Sequence, residues 1–229
     1  PRIRRWSARP PVGPEDEFTK DLMQTRAIAN RYHKAGADGI YVFNWHANRD
    51  SRRELLSEIG TADTLRGKDK VYAATQRFIQ KEGQWRGAYR NDRIWGEVPV
   101  ALKRTLTGDG PTISLDIADD LTAETPERVE LRLLLQDWVK GDVVRAFWDG
   151  AEISDLKTRY HIVTDPHANP LAAAISDVGS AVWLSSEIAP HRVGRGLHRI
   201  KVVLSKRVPR IESDIVLTDA ELVISYGKG

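Results

Sequence analysis

The 229-residue chain contains no cysteine. This absence excludes a disulfide framework, a thiolate metal site and a cysteine nucleophile. No apolar run approaches the roughly 20 residues that a membrane-spanning helix needs, and no signal peptide is visible, so we expect no membrane partner. The single methionine is Met23 and the chain begins at Pro1, so we expect that the natural N-terminus has been removed.

Charge of one sign is also lacking. The chain has 35 Lys and Arg residues against 32 Asp and Glu residues, for a net charge of +3. A nucleic-acid-binding protein more often concentrates its basic residues on one element, interleaved with aromatic residues. The densest basic group, at residues 2–9, does not have that form. There is no phosphate-binding loop and no dinucleotide fingerprint, so we expect neither a nucleic-acid partner nor a cofactor.

The N-terminal part of the sequence has the pattern of an α/β segment. Residues 14–35 have helical spacing of apolar residues, and Gly36 is a natural helix stop. Residues 37–45 have an unbroken apolar centre, which favours a strand buried on both faces, as in a parallel sheet. A capping box at Ser51 predicts a short helix, and a further helix is predicted over about 64–78.

After about residue 95 the apolar residues alternate instead. Such alternation predicts strands with one face in a core. The predicted strands lie at 98–102, 113–117, 129–135, 143–148, 151–153, 160–163, 182–188, 197–204 and 215–226. Asp149-Gly150 favours a type I′ hairpin turn. Short strands separated by turns predict an all-β sandwich or jelly roll over 96–229, preceded by a separate α/β domain over 1–95.

Two stretches carry a resemblance to a known class of proteins. Residues 35–45, with 55–60 and 65–72, are similar to the last strand and closing helices of a (β/α)8 barrel. Residues 143–150 and 196–204 resemble galactose-binding-like jelly rolls. Together they resemble the C-terminal end of bacterial glycoside-hydrolase-like proteins, in which a barrel is followed by a β-sandwich.

This resemblance implies a fold class and a function. The fold would be the end of a (β/α)8 barrel, incomplete because a barrel needs eight βα units, plus the sandwich. The function would be that of the C-terminal portion of a glycoside hydrolase acting on a poly- or oligosaccharide, with the sandwich as a structural or carbohydrate-binding accessory domain. The partners would be carbohydrate and the missing N-terminal portion, and a periplasmic or secreted location is favoured. The alternative is a non-catalytic carbohydrate-binding or scaffolding module.

The candidate site residues are Asn44, Trp45 and His46. They lie where the predicted barrel strand would emerge at the face that carries barrel active sites. Trp45 offers an apolar surface to a sugar ring, and Asn44 and His46 offer hydrogen bonds to hydroxyls. The alternative is that Trp45 caps the core and His46 is a loop residue. Asp38 would lie at the opposite rim, in a structural role.

No catalytic residue is identified, and no metal site is predicted. Glu54 and Glu58 have the helical spacing of a carboxylate pair, but a capping box and a solvated helix face explain them better. His161, Asp165 and His167 suggest metal ligands only faintly, because their spacing matches no known signature.

Tryptophans in the predicted sandwich provide a second carbohydrate hypothesis. Trp148 and Trp183 fall within strands, so at least one of them is expected in the core. Trp138 lies near a turn and is expected to be exposed. In the connector, Trp85, Tyr89, Ile94 and Trp95 are expected to pack between the two halves, because a free linker would not carry them.

Overall fold

The computed structural model describes residues 14–40, 55–74, 97–105, 108–160 and 181–227, and strands dominate them. One long helix, α1 (Pro14–Lys34), precedes the strands. In chain order, the strands within these ranges are β1 (Lys70–Ala73), β2 (Val100–Leu102), β3 (Thr112–Ile117), β4 (Arg128–Gln136), β5 (Val143–Trp148), β6 (Ala151–Ile153), β7 (Lys157–Tyr160), β8 (Val182–Glu187), β9 (Gly196–Lys206) and β10 (Ile215–Ser225).

The strands form two antiparallel sheets. The six-stranded sheet has the order β1-β10-β4-β8-β7, and β2 pairs with the beginning of β10. The four-stranded sheet has the order β3-β9-β5-β6. Non-consecutive neighbours such as β4 and β10 mean that the chain crosses between the sheets, as in Greek-key sandwiches.

The core lies between the two sheets, because alternate residues of both point into one cluster. From the four-stranded sheet, Ile113, Leu115 and Ile200 are at most 1% exposed. Leu131 and Leu133 of the six-stranded sheet are fully buried in the same cluster. Period-two burial of this kind is what a strand with one core-facing side requires. The predicted β-sandwich is therefore confirmed.

The predicted barrel segment is wrong. The helix expected over 64–78 is replaced by a short 3-10 helix at Asp63–Leu65 and by β1, which pairs antiparallel with β10. Residues 37–40, expected to begin a buried parallel strand, are not in a strand. Every strand pair in the described ranges is antiparallel, whereas a barrel needs parallel strands joined by helices. The resemblance to the end of a barrel hydrolase therefore fails together with the α/β fold class.

The physical reason for this error lies in β1. A four-residue strand is too short to show a period. Lys70, the first of its residues to face the core, is of a residue type that is normally found on the surface. Apolar residues before and after β1 therefore matched helical spacing by chance, and this match produced the wrong helix prediction over 64–78.

Helix α1 ends as predicted and packs against β1. Gly36 follows it with φ of 91°, the left-handed conformation that ends helices at low cost for glycine. Ala27 of α1 joins the main core, whereas Ala29 packs with Leu55 and Ile59 in a second, smaller cluster. The helix thus packs against the edge of the six-stranded sheet that β1 forms.

Most sandwich strands follow the predictions, and so does the hairpin between β5 and β6. The exception is β7, at Lys157–Tyr160, where a strand was predicted over 160–163, of which only residue 160 lies in the described ranges. Asp149 and Gly150 have φ of 49° and 85°, the positive values that a type I′ turn requires. The division at residue 95 and the packing of the connector residues Trp85, Tyr89, Ile94 and Trp95 lie outside the described residues and stay predictions.

Two side chains secure the margins of the sandwich. Asp142 accepts hydrogen bonds from the backbone N–H of Val139 and of Val208 and pairs with Arg207, which ties the β4–β5 loop to the β9–β10 loop. At the other margin, Glu97 Oε2 accepts a hydrogen bond of 2.7 Å from the backbone N–H of Ser114 on the edge strand β3.

Candidate functional site

The residues predicted to bind carbohydrate, Asn44, Trp45 and His46, lie outside the described residues, and so do Glu54, His161, Asp165 and His167. Their roles stay predictions. Asp38 is exposed, in the irregular segment after α1. No group of three or more His, Asp or Glu side chains that would suit a metal ion occurs within the described ranges.

A buried polar junction lies where α1 meets the sandwich. Lys70 Nζ is 2.9 Å from Asp119 Oδ1, and the Lys70 side chain is fully buried. Tyr72 donates its hydroxyl proton to Asp119 Oδ2 over 2.7 Å, and Asn30 of α1 donates to the Tyr72 hydroxyl over 3.1 Å. These four residues, Lys70, Tyr72, Asp119 and Asn30, are the buried polar junction.

The hydrogen bonds of Lys70 show that this junction is closed. Besides Asp119, the Nζ atom donates to the carbonyl oxygens of Leu65 and Lys68, over 2.6 and 3.0 Å. An ammonium group has three donors, so all three are used. Burial lowers the pKa of Lys70, opposed by the charge of Asp119. Burial also raises the pKa of Tyr72, as does the adjacent Asp119 carboxylate. The Lys70 ammonium and both oxygens of Asp119 are therefore bonded within the chain, so the junction is a structural contact.

Glu58 corrects an expectation from the sequence. It was expected on a solvated helix face but is only 5% exposed. Arg26 pairs with it through Nε–Oε2 and Nη2–Oε1, at 2.6 and 2.9 Å, and Lys68 Nζ lies 2.6 Å from Oε1. Burial alone would raise the pKa of Glu58, but hydrogen bonds and charges from Arg26 and Lys68 outweigh it, so the pKa is lowered. Glu58 is thus a structural anion.

The tryptophans also differ from expectation. Trp148 is 1% exposed in the core, as expected for at least one of them. Trp138 was expected to be exposed but is only 8% exposed, packed against the core. The preceding residue, Asp137, has φ of 60°, and this turn brings the ring back onto the core. Trp183 is buried with Leu134 on the outer side of the six-stranded sheet. None of the three is an exposed platform for a sugar.

An outward-facing aromatic residue lies on the four-stranded sheet. Ala146 and Trp148 of β5 point into the core, so Arg145 and Phe147 point outward. Phe147 is half-buried and lies opposite Lys201 of β9. Arg199, two residues before Lys201, is on the same side and exposed. We name this outer surface, made of Arg145, Phe147, Arg199 and Lys201, the basic face.

Arg145 is held in a defined position on the basic face. Its Cζ lies 5.1 Å from the centre of the Phe147 ring. Its Nε donates to Glu152 Oε1 of β6 over 2.6 Å, and its Nη2 donates to Glu152 Oε2. Hydrogen bonding to Glu152, followed by its charge, raises the pKa of Arg145, and the reciprocal hydrogen bond lowers the pKa of Glu152. Both groups therefore stay charged across the neutral range.

A histidine braces the end of this face. Asp149 Oδ2 lies 2.6 Å from His198 Nδ1, and Gly194 O lies 2.6 Å from His198 Nε2. Both neighbours are acceptors, so both hydrogen bonds form together only when both ring nitrogens carry protons. Asp149 Oδ1 also accepts from the backbone N–H of Arg199, over 2.8 Å. These hydrogen bonds join the Asp149-Gly150 turn, the loop at Gly194 and the beginning of β9 around the Trp148 and His198 rings, which are stacked.

The strand pattern already contained the information that points to the basic face. Arg145 and Phe147 are two residues apart in a predicted strand, as are Arg199 and Lys201, so each pair had to share a side. What the sequence did not show was that β5 and β9 are neighbours in one sheet.

Comparison with known proteins assigns the chain to no family. No protein family model matches the chain, and no curated protein matches it significantly. Within the described ranges, no helix combines the length and the apolar character that crossing a bilayer requires.

Proposed function

We propose that this chain is a non-catalytic module that binds carbohydrate through the basic face of its β-sandwich. The glycoside hydrolase expectation depended on the barrel segment, and it loses its structural basis with that segment. The alternative drawn from the sequence, a carbohydrate-binding module, needs only the sandwich and a suitable surface.

A single observation carries the proposal: Phe147, a partly buried aromatic side chain that faces outward from a regular sheet, lies among charged groups. An aromatic ring covers the apolar C–H side of a sugar, as it covers other apolar groups. Glu152 and Asp109 offer acceptors for sugar hydroxyls, and Arg145 and Lys201 offer donors. These four side chains are each 44–73% exposed, so a ligand can reach them without opening the fold.

The rigidity of the surface favours binding as well. Cross-strand pairing fixes the backbone of β5, β6 and β9, and the contact with Glu152 fixes Arg145. A ligand that binds such a surface orders few side chains, so little of its binding energy is lost to conformational entropy.

The test is a binding assay of the full chain against a panel of soluble polysaccharides, neutral and acidic, by isothermal titration calorimetry. Phe147→Ala is expected to weaken binding at least tenfold. The matched control is Tyr32→Ala, because Tyr32 is an aromatic residue of α1 that is 39% exposed. Tyr32→Ala is expected to leave the affinity unchanged.

Two results would contradict the proposal. The first is that no polysaccharide of the panel binds the wild-type chain. The second is that Phe147→Ala binds as well as wild type while a Trp45→Ala variant loses binding, which would move the site to the predicted residues Asn44, Trp45 and His46.

A further inference from the structure

We infer that the ligand of the basic face is an acidic polysaccharide, one whose sugars carry carboxylate or sulfate groups. This inference rests on the proposed function and specifies its ligand class. It is carried by the arrangement of three cations around one aromatic ring.

The three cations surround Phe147 on three sides. Lys201 lies directly opposite Phe147 in the register of β5 and β9. Arg199 lies two residues from Lys201 along β9, and Arg145 two residues from Phe147 along β5. Such positions on one side of a sheet are roughly 5 to 8 Å apart. A sugar ring packed beside Phe147 and the Arg145 guanidinium that lies over it would therefore have cations close to it on three sides.

The carboxylates on this surface do not balance the cations. Arg145 pairs with Glu152, and Lys201 Nζ lies 2.9 Å from Asp109 Oδ1. No described carboxylate lies within ion-pair distance of the Arg199 side chain. Asp116, on the neighbouring strand β3, is already paired with Lys34 and Arg31 of α1. From Arg199, Asp149 accepts only the backbone N–H, so the Arg199 guanidinium is a cation without a carboxylate partner among the described residues, and a neutral ligand would leave it unused.

Arg145 contributes specificity for an anion. Its Nε and Nη2 are used by Glu152, which leaves Nη1 without a partner in the described part of the chain. A guanidinium that is already held in place loses little side-chain entropy when it binds a carboxylate or sulfate oxygen. Charge-assisted hydrogen bonds of this kind are stronger than those of a neutral hydroxyl.

An extended chain is the form of ligand that fits best. Arg199 and Lys201 follow each other along β9, and Leu197, 62% exposed, continues the same row. Successive acidic sugars can contact these positions in turn. A nucleic acid is also an anionic polymer, but the basic face has a single aromatic ring, which is partly buried, and stacking successive bases requires several rings.

The experiment compares polygalacturonate with its fully methyl-esterified form, so that the sugar backbone is the same and only the charge differs. Dextran sulfate and dextran form a second pair, which separates sulfate from carboxylate recognition, and duplex DNA is the third arm. All are measured by calorimetry with the full chain at one fixed salt concentration. We expect at least one acidic member to bind tenfold or more tightly than its neutral partner and than DNA.

The variant arm uses Arg199→Ala with Lys201→Ala. The matched control is Lys157→Ala with Arg159→Ala, because this pair lies two residues apart on β7, at the edge of the other sheet, and removes the same charge. We expect the first double variant to lose at least tenfold in affinity for the acidic polysaccharide and the second to bind like wild type.

The possible failures are distinguishable. Equal binding of charged and neutral partners, dependent on Phe147, would overturn the acidic ligand but support the proposed function. Equal loss in both double variants would reduce the effect to net charge and overturn the inference. Tighter binding of DNA through Arg199 and Lys201 would replace the ligand class, and no binding of any polysaccharide would end both proposals.

Discussion

The buried polar junction and the basic face contain the same kinds of chemical group but differ in their accessibility to solvent. Each brings a cation, a carboxylate and an aromatic ring together: Lys70, Asp119 and Tyr72 in the junction, and Arg145, Glu152 and Phe147 on the face. In the junction, every proton of the Lys70 ammonium is donated within the chain. On the face, the same kinds of group stay accessible to water. Composition alone therefore does not distinguish a structural cluster from a binding surface; the distinction comes from which hydrogen bonds the chain leaves open.

The largest effect is expected in the junction. Lys70→Met would leave the Asp119 carboxylate buried without its cation, and breaking a buried pair in this way typically costs about 3–5 kcal/mol of unfolding free energy. Urea denaturation of the variant and of wild type measures it. The double variant Lys70→Met with Asp119→Asn is expected to regain part of the loss, because no charge is then left unpaired. A loss below about 1 kcal/mol in the single variant would show that water reaches this junction.

A second large effect is expected at Trp148, the core neighbour of Phe147 on β5. Trp148→Ala empties a fully packed position beside His198, and such truncations cost about 3–5 kcal/mol. It also removes the hydrogen bond from Nε1 to the carbonyl oxygen of Arg192, 3.1 Å long. Thermal unfolding gives the comparison. In a chain of this length 1 kcal/mol shifts the melting temperature by about 2–4 °C. A variant that melts within a few degrees of wild type would therefore contradict the core placement.

An intermediate, pH-dependent effect is expected for Glu58. Its pKa is lowered by Arg26 and Lys68 against the opposing effect of burial, so its ionisation stabilises the fold above its usual pKa of 4.5. That stabilisation is lost as the pH falls through the lowered value. Glu58→Gln is therefore expected to cost about 1–3 kcal/mol at pH 7 and progressively less below about pH 4. Denaturation at a series of pH values tests it, and a cost that does not change with pH would show that charge is not the cause.

The smallest effect on stability is expected on the basic face. Phe147→Ala removes a ring that is only partly buried. Most single substitutions cost about 0.5–3 kcal/mol of unfolding free energy, and we expect Phe147→Ala to cost about 1 kcal/mol. Its effect on polysaccharide affinity is expected to be far larger than its effect on stability. If Phe147→Ala destabilised the fold as much as Trp148→Ala, the two sides of β5 would not differ as described.

The sandwich could be predicted from the sequence because each pattern that indicates it lies within one short stretch of the chain. Alternation across β3, β4 and β9 sets which side of each strand is apolar, and the Asp149-Gly150 pair sets one hairpin. The barrel segment was mistaken because its evidence was also local. A helix, an apolar run and more helical spacing resemble a βα unit, whereas the pairing of β1 with β10 joins residues some 150 positions apart and leaves no periodic pattern.

The candidate site was missed for a similar reason. Attention to tryptophan led to Trp138, Trp148 and Trp183, all of which are buried. Phe147 stood in a strand that was correctly predicted, with Arg145 on the same side, but its surroundings come from β6 and β9. A binding surface assembled from several strands is visible only once their order in the sheet is known.

The hydrogen bond from Ser114 to Glu97 bears on how the protein behaves at high concentration. Strand β3 is the last strand on its side of the four-stranded sheet, and an unpaired row of N–H groups there would invite a strand from another molecule. The Glu97 carboxylate occupies one of those N–H groups and places a negative charge beside the row. An approaching strand would have to displace that charge and bury it, so self-association through this edge is disfavoured. A ligand can therefore cover the adjoining sheet surface without the protein molecules pairing edge to edge.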